Sequence, residues 1–192
     1  MERVYYLTQE EVTRLLETIR KSGGRHAYRD FCMFRVAYRC GLRASEVGLI
    51  RVDYFNPQTH ELYCKRLKNS HSNTIRLDEK TARALKRYIK SSGKSRGETL
   101  FVSQRGLPVS RQILDRKMRQ YCREARIPDP SRHHFHVFKH SVAVHLAESG
   151  LDLKELQYYL GHKSVSSTIV YFRFTTSQQE EMYRKLNNGR LV

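Results

Sequence analysis

Residues 136–176 read HVFKHSVAVHLAESGLDLKELQYYLGHKSVSSTIVYFRFTT. Within this stretch His136, Lys139, His162 and Tyr171 stand at separations of 3, 23 and 9 residues. A separation of three puts His136 and Lys139 on one face of a helix. The stretch follows the loop-forming run Pro128-Asp-Pro-Ser-Arg-His-His134, and its tyrosine comes just after a Gly161-His162 turn. A tyrosine hydroxyl, imidazoles and a cation suit nucleophilic attack on phosphorus, with the charge on the phosphoryl oxygens neutralised.

Outward from this stretch, helix signals dominate. Thr8-Gln-Glu-Glu11 is a capping box, followed by Val12, Leu15, Leu16 and Ile19 on one face, which predicts a helix over 8–21. Ala27, Phe31, Phe34 and Tyr38 mark a second helix, ended by Gly41. Arg43 opens a short third helix in GLRASEVGLI. Residues 49–77 are expected to form three short strands, over 49–54, 62–66 and 74–77, with the turn signal Asn56-Pro57-Gln58 between the first two. Asp78 caps a helix over 79–90 and Ser110 caps one over 111–124. Asp152-Leu-Lys-Glu155 caps the helix that ends at Gly161, Ser166 opens the helix bearing Tyr171, and Ser177-Gln-Gln-Glu180 opens an amphipathic C-terminal helix. No internal repeat and no linker interrupts the chain, so a single domain is expected over 1–192.

The charge balance narrows the partner. Lys plus Arg number 36 against 19 Asp plus Glu, a formal charge of +17 in 192 residues. Such an excess favours a polyanion, because each neutralised phosphate releases condensed counterions. The basic residues are spread along the chain, which points to a folded basic surface instead of a charged tail. No stretch is long and apolar enough to span a bilayer, and Met1 is not followed by a secretory signal pattern. The four cysteines, Cys32, Cys40, Cys64 and Cys122, form no C-x-x-C pair and are expected as core residues in a reducing, cytoplasmic setting. His133, His134, His136, His140 and His145 invite a metal reading, but no H-E-x-x-H pattern accompanies them, and no metal site is expected. His140 is expected to face the core or to back the site, and His145 to be exposed.

These motifs resemble the catalytic domain of the tyrosine recombinases, the phage-integrase family. The resemblance rests on His136-Val-Phe-Lys139-His140, on Leu160-Gly161-His162 followed nine residues later by Tyr171, and on Gly41-Leu-Arg43-Ala-Ser-Glu46 upstream. It implies a mainly α fold with a small three-stranded antiparallel β-sheet (α+β), from about Tyr6 to Leu186. The separate N-terminal DNA-binding domain of larger members is not expected in this chain. The implied activity is site-specific recombination of double-stranded DNA (integration or inversion) through a 3′-phosphotyrosine, by protomers that self-associate on DNA, without metal or nucleotide cofactor. A regulator that binds sites without cutting them is the alternative.

The resemblance also distributes roles. Tyr171 is the nucleophile, Arg43 and Lys139 neutralise the phosphoryl oxygens, His162 hydrogen-bonds the phosphate and His136 accepts the tyrosine proton. A lysine on the β-hairpin protonates the leaving 5′-oxygen: Lys68 is the nearer match and Lys65 its competitor. Lys139 departs from the family, which has arginine there. Lysine offers a point charge where arginine offers a planar fork. Three readings follow: Lys139 still binds the phosphate, or Arg132 or Arg173 supplies the fork, or the enzyme is impaired. The first is favoured, because the other five positions are intact.

Overall fold

The computed structural model describes residues 5–67, 70–172 and 184. Helix α1 (Gln9–Lys21) starts where its sequence says it should. The Thr8 hydroxyl accepts from the Glu11 amide at 3.1 Å, and the Glu11 carboxylate accepts from the Thr8 amide at 2.9 Å. Its apolar face packs on α2 (Ala27–Arg39). Phe34 of α2 is the hub of the larger core, meeting Tyr121, Phe135 and Phe138 edge to face at 5.3–5.7 Å between ring centroids. Gly41 ends α2 at φ +58°, and Arg43 leads into α3 (Ala44–Val47).

The sheet has the order β1-β2-β3, all antiparallel, from β1 (Phe55–Asn56), β2 (Glu61–Cys64) and β3 (Asn73–Arg76). The strand expected over 49–54 is not part of it. Residues 52–54 form a 3-10 turn, and the apolar run before them pairs elsewhere: Leu100 N–H donates to Ile50 C=O and Val52 N–H to Glu98 C=O. The sheet begins only at Phe55. Asn56 then closes the turn, its side-chain oxygen accepting from the amides of Gln58 and Thr59. Along the hairpin Leu62, Cys64 and Arg66 point inward while Glu61, Tyr63 and Lys65 point to solvent.

Asp78 caps α4 (Glu79–Ser92) and Ser110 caps α5 (Arg111–Glu124). Helix α6 (Val137–Glu148) is buried almost all round and is the centre of the molecule. That placement overturns the expectation for His145, which is only 6% exposed: its Nδ1 lies 2.7 Å from the Tyr38 hydroxyl, because a central helix has no solvent face there. Helices α7 (Leu153–Leu160) and α8 (Ser166–Phe172) pack on α6 and share with it a second core cluster of Val142, Val144, Ala147, Leu156, Leu160 and Tyr171. All four cysteines are free and buried. Among the described residues no helix is long and apolar enough to cross a membrane. The helix expected after Ser177 lies outside the described residues, apart from Arg184.

Candidate active site

Three chain turns deliver the functional side chains to one place. The break after α2 supplies Arg43, the start of α6 supplies His136, Lys139 and His140, and the α7–α8 turn supplies His162 and then Tyr171. Gly161 makes the last turn possible. It has φ +68°, and a Cβ there would collide with the His71 carbonyl oxygen. The close approach is used: His71 N–H donates to Gly161 C=O at 2.8 Å, and Ser70 bridges to His162. Asn73 Nδ2 donates to the carbonyls of Tyr158 and Tyr159. The hairpin loop is thereby docked by its main chain on the turn that carries His162.

Arg43 is oriented by a buried acid that sequence reasoning had quoted without a role. Glu46, three residues on, is 1% exposed; its carboxylate accepts from the amides of Arg43 and Leu67 and from Arg43 Nη1 at 2.9 Å. Burial works against its charge, but those amides and the cations of Arg66 and Arg43 hold its carboxyl below the usual range. Arg43 Nη1 also donates to Leu67 C=O and Ser70 Oγ. Its Nε and Nη2 have no partner among the described residues, which leaves one edge of the guanidinium for an anion. Arg43 and His136 line a cleft of about 470 Å³, together with Ala44, Ser45, Arg111, Asp115, Arg119 and His134.

Behind the cleft Tyr171, His162 and Lys139 are buried. Tyr171 is 3% exposed, and its hydroxyl lies 3.1 Å from His140 Nδ1. Burial pushes this phenol up to about 12. The His162 ring lies nearly parallel to Tyr171 at 6.4 Å, and its Nδ1 is 2.9 Å from the Thr168 hydroxyl. Burial, reinforced by Lys139, Arg43 and Arg66, pushes His162 down to about 3. His136 is packed edge-on against His140 at 4.5 Å, and the protein around its ring, then Lys139, His134 and Arg43, lower it to about 4. Lys139 is 2% exposed, with Nζ 3.4 Å from the Leu160 carbonyl. Burial first, then Arg43 and Arg66, pull it down to about 7, with Glu46 opposing.

Five of the six expected catalytic residues, Arg43, His136, Lys139, His162 and Tyr171, therefore meet. Lys68 lies outside the described residues, as does Arg173. Lys65 is exposed on the outer side of the hairpin, away from Arg66 and the cluster. Arg132 is engaged elsewhere: its guanidinium donates to both Glu11 oxygens, at 2.6 and 2.9 Å, and to the Tyr6 carbonyl. Tyr158 is exposed, and the Tyr159 hydroxyl donates to the Arg39 carbonyl, so neither competes with Tyr171. Besides Glu46, three residues here were given no role from the sequence, Arg66, Ser70 and Thr168, and His140, expected to face the core or to back the site, contacts Tyr171 directly. Arg66 had a signal, since strand alternation puts it on the same face as Leu62 and Cys64. Among the described residues no three His, Cys, Asp or Glu side chains are grouped to hold a metal.

A model of the phage integrase family matches residues 5–178. The chain is similar to tyrosine recombinase XerC of Roseiflexus castenholzii, 32% identical over 173 residues that cover 86% of this chain and 54% of that protein. It is also similar to the type 1 fimbriae regulatory protein FimE of Escherichia coli K12, 31% identical over 175 residues, 89% of this chain and 86% of the relative. Among solved structures the fold matches that of XerA recombinase with a TM-score of 0.80 at 24% identity, covering 99% of this chain and 67% of that one. The chain thus spans about half the length of the first relative and most of the second.

Proposed function

Because the chain belongs to the phage integrase family, we propose that it is a site-specific tyrosine recombinase that cleaves and rejoins double-stranded DNA through a 3′-phosphotyrosine. One observation carries the reading. A buried tyrosine hydroxyl contacts an imidazole in a cluster whose Arg43 keeps an unpartnered guanidinium edge and lines an open cleft. A backbone phosphate entering that cleft meets Arg43 first. Arg43 and Lys139 stabilise the charge that grows on the phosphoryl oxygens, and His162 donates to one of them through Nε2. That role requires the His162 proton on Nε2, with Nδ1 accepting from the Thr168 hydroxyl.

Attack by Tyr171 forms the Oη–P bond and breaks the bond to the 5′-oxygen, which Lys68 protonates. The ester keeps the energy of the broken bond, so rejoining by a partner strand's 5′-hydroxyl needs no nucleotide. Lys65 and Arg173 are proposed contacts to the DNA backbone. Arg132 is proposed neither as the phosphate fork nor as a DNA contact, because Glu11 holds it. The protein acts in the cytoplasm, where the DNA is, and its protomers associate on the DNA.

The test is covalent trapping on a pool of nicked duplexes of randomised sequence, in which loss of the short fragment beyond the nick strands the adduct. The wild type should become linked to a 3′-phosphate, and Tyr171→Phe should bind DNA and form no adduct. DNA binding with no adduct from the wild type would establish the binding-only regulator instead.

A further inference from the structure

The proton on Tyr171 needs a destination, and the residue that the family resemblance gives for it, His136, does not touch the tyrosine. His136 lines the cleft, and its ring abuts His140. His140 is the imidazole that reaches the nucleophile, with Nδ1 3.1 Å from the Tyr171 hydroxyl oxygen and ring centroids 5.8 Å apart. The two rings share one face of the helix and differ in depth. His136 is the residue before α6 and faces outward over the cleft, while His140, one turn later, points at α8.

We infer that His140 is the general base of the cleavage step, and that His136 serves instead as a donor to the phosphate in the cleft. The inference rests on the recombinase reading above and adds the identity of its base. In the step, the Oη–P bond forms as the bond from phosphorus to the 5′-oxygen breaks. The tyrosine proton passes to His140 Nδ1, and Lys68 supplies a different proton to the 5′-oxygen. In the reverse step His140 returns its proton to the tyrosine leaving group. Nδ1 can accept only in the tautomer with the proton on Nε2.

In the resting protein the proton stays on Tyr171. Burial, then the neighbouring His136, His134 and Lys139, push His140 down to about 3, so it is a neutral acceptor at neutral pH. Burial keeps Tyr171 a phenol. The pair is too mismatched for transfer at rest, so the nucleophile stays uncharged until phosphate arrives. The negative diester beside His140 then favours the imidazolium, and bonding to phosphorus acidifies the phenol.

The experiment uses a nicked duplex recovered from the pool, in two forms: one with the normal bridging 5′-oxygen and one with sulfur in its place. A thiolate leaves without needing a proton, so sulfur bypasses the leaving-group acid and not the nucleophile's base. The variants are His140→Ala and His140→Gln; the glutamine still hydrogen-bonds the tyrosine and cannot take its proton. Adduct formation at saturating protein should fall by about a hundredfold or more in both variants, and equally on oxygen and sulfur substrates. DNA affinity and melting temperature should move little in His140→Gln. A His140→Gln rate within threefold of wild type overturns the inference, as does rescue by sulfur, which would put His140 on the leaving-group side. Lack of an adduct from the wild type removes the recombinase reading, and this inference with it.

Discussion

Lys139→Met tests the energetics of the site in the protein without DNA. Methionine keeps most of the length of the side chain and loses the charge. In the folded protein Lys139 is pulled from 10.5 to about 7, by burial first and then by Arg43 and Arg66. At about 1.36 kcal/mol per pH unit, holding this charge inside costs on the order of 4 kcal/mol at neutral pH. Between about 7 and 10.5 the unfolded chain binds the proton and the folded chain does not. Stability therefore rises with pH across that window, and the full penalty is present below it. The variant loses the contact to the Leu160 carbonyl, a loss of about 1 kcal/mol that offsets part of the gain. Urea unfolding of both proteins at several values from about pH 6 to about pH 9 should show Lys139→Met the more stable at pH 6, with the gap closing as pH rises. Tyrosines and cysteines that titrate near the top of the range are shared and cancel in the difference. A gap that does not change with pH would refute the reasoning, because the lysine would then not change protonation between folded and unfolded chains. The same variant should slow adduct formation by about a hundred- to a thousandfold, as loss of a transition-state donor does. The cation proposed to bind phosphate is thus a stability liability in the protein without DNA.

Thr168→Val keeps the shape and removes the hydroxyl that fixes the His162 ring; adduct formation should drop by about tenfold with DNA affinity unchanged, and a wild-type rate would show that the tautomer is set otherwise. Gly161→Ala forces a side chain into left-handed backbone and against the His71 carbonyl, so the urea midpoint should fall by the equivalent of about 2 kcal/mol or more; an unchanged midpoint would show that the hairpin does not dock in solution. With a formal charge of +17, non-specific DNA affinity should fall on the order of a thousandfold between about 50 and 200 mM salt, and a flat response in a titration would remove the nucleic-acid reading.

The helices were legible because their signals are local. Thr8, Asp78, Ser110 and Asp152 each accept from an amide two or three residues away, so cap and helix are read in one glance. The strand expected over 49–54 failed because its apolar run pairs with residues 98–100, and an alternating pattern does not say who its partner is. In the site, the nine-residue step from His162 to Tyr171 spans one turn and one short helix, so a family resemblance could carry it over from the sequence. The contact from His140 to Tyr171 bridges 31 residues and depends on how α8 lies on α6, which no spacing encodes. His145 was misjudged for the same reason: its exposure depends on α6 being covered on every side.

Arg66 touches no reacting atom in the proposed chemistry, yet it sets a dimension of the site. Its side chain is fully buried, and it donates to the carbonyls of Cys40 and Gly41 at the end of α2 and of Tyr159 near the end of α7. Two residues beyond Gly41 stands Arg43; three beyond Tyr159 stands His162. Two of the side chains proposed to hold the phosphate are thus launched from helix ends bolted to one planar group. Arg66 acts as a gauge block: one guanidinium sets the spacing of these two helix ends. Lysine would keep the positive charge at this point and lose the fixed spacing, since an ammonium has no fork to span both ends. This chain's departure from its family at Lys139 puts a point charge where the family has a fork; the fork at Arg66 holds the helix ends on either side at a fixed distance.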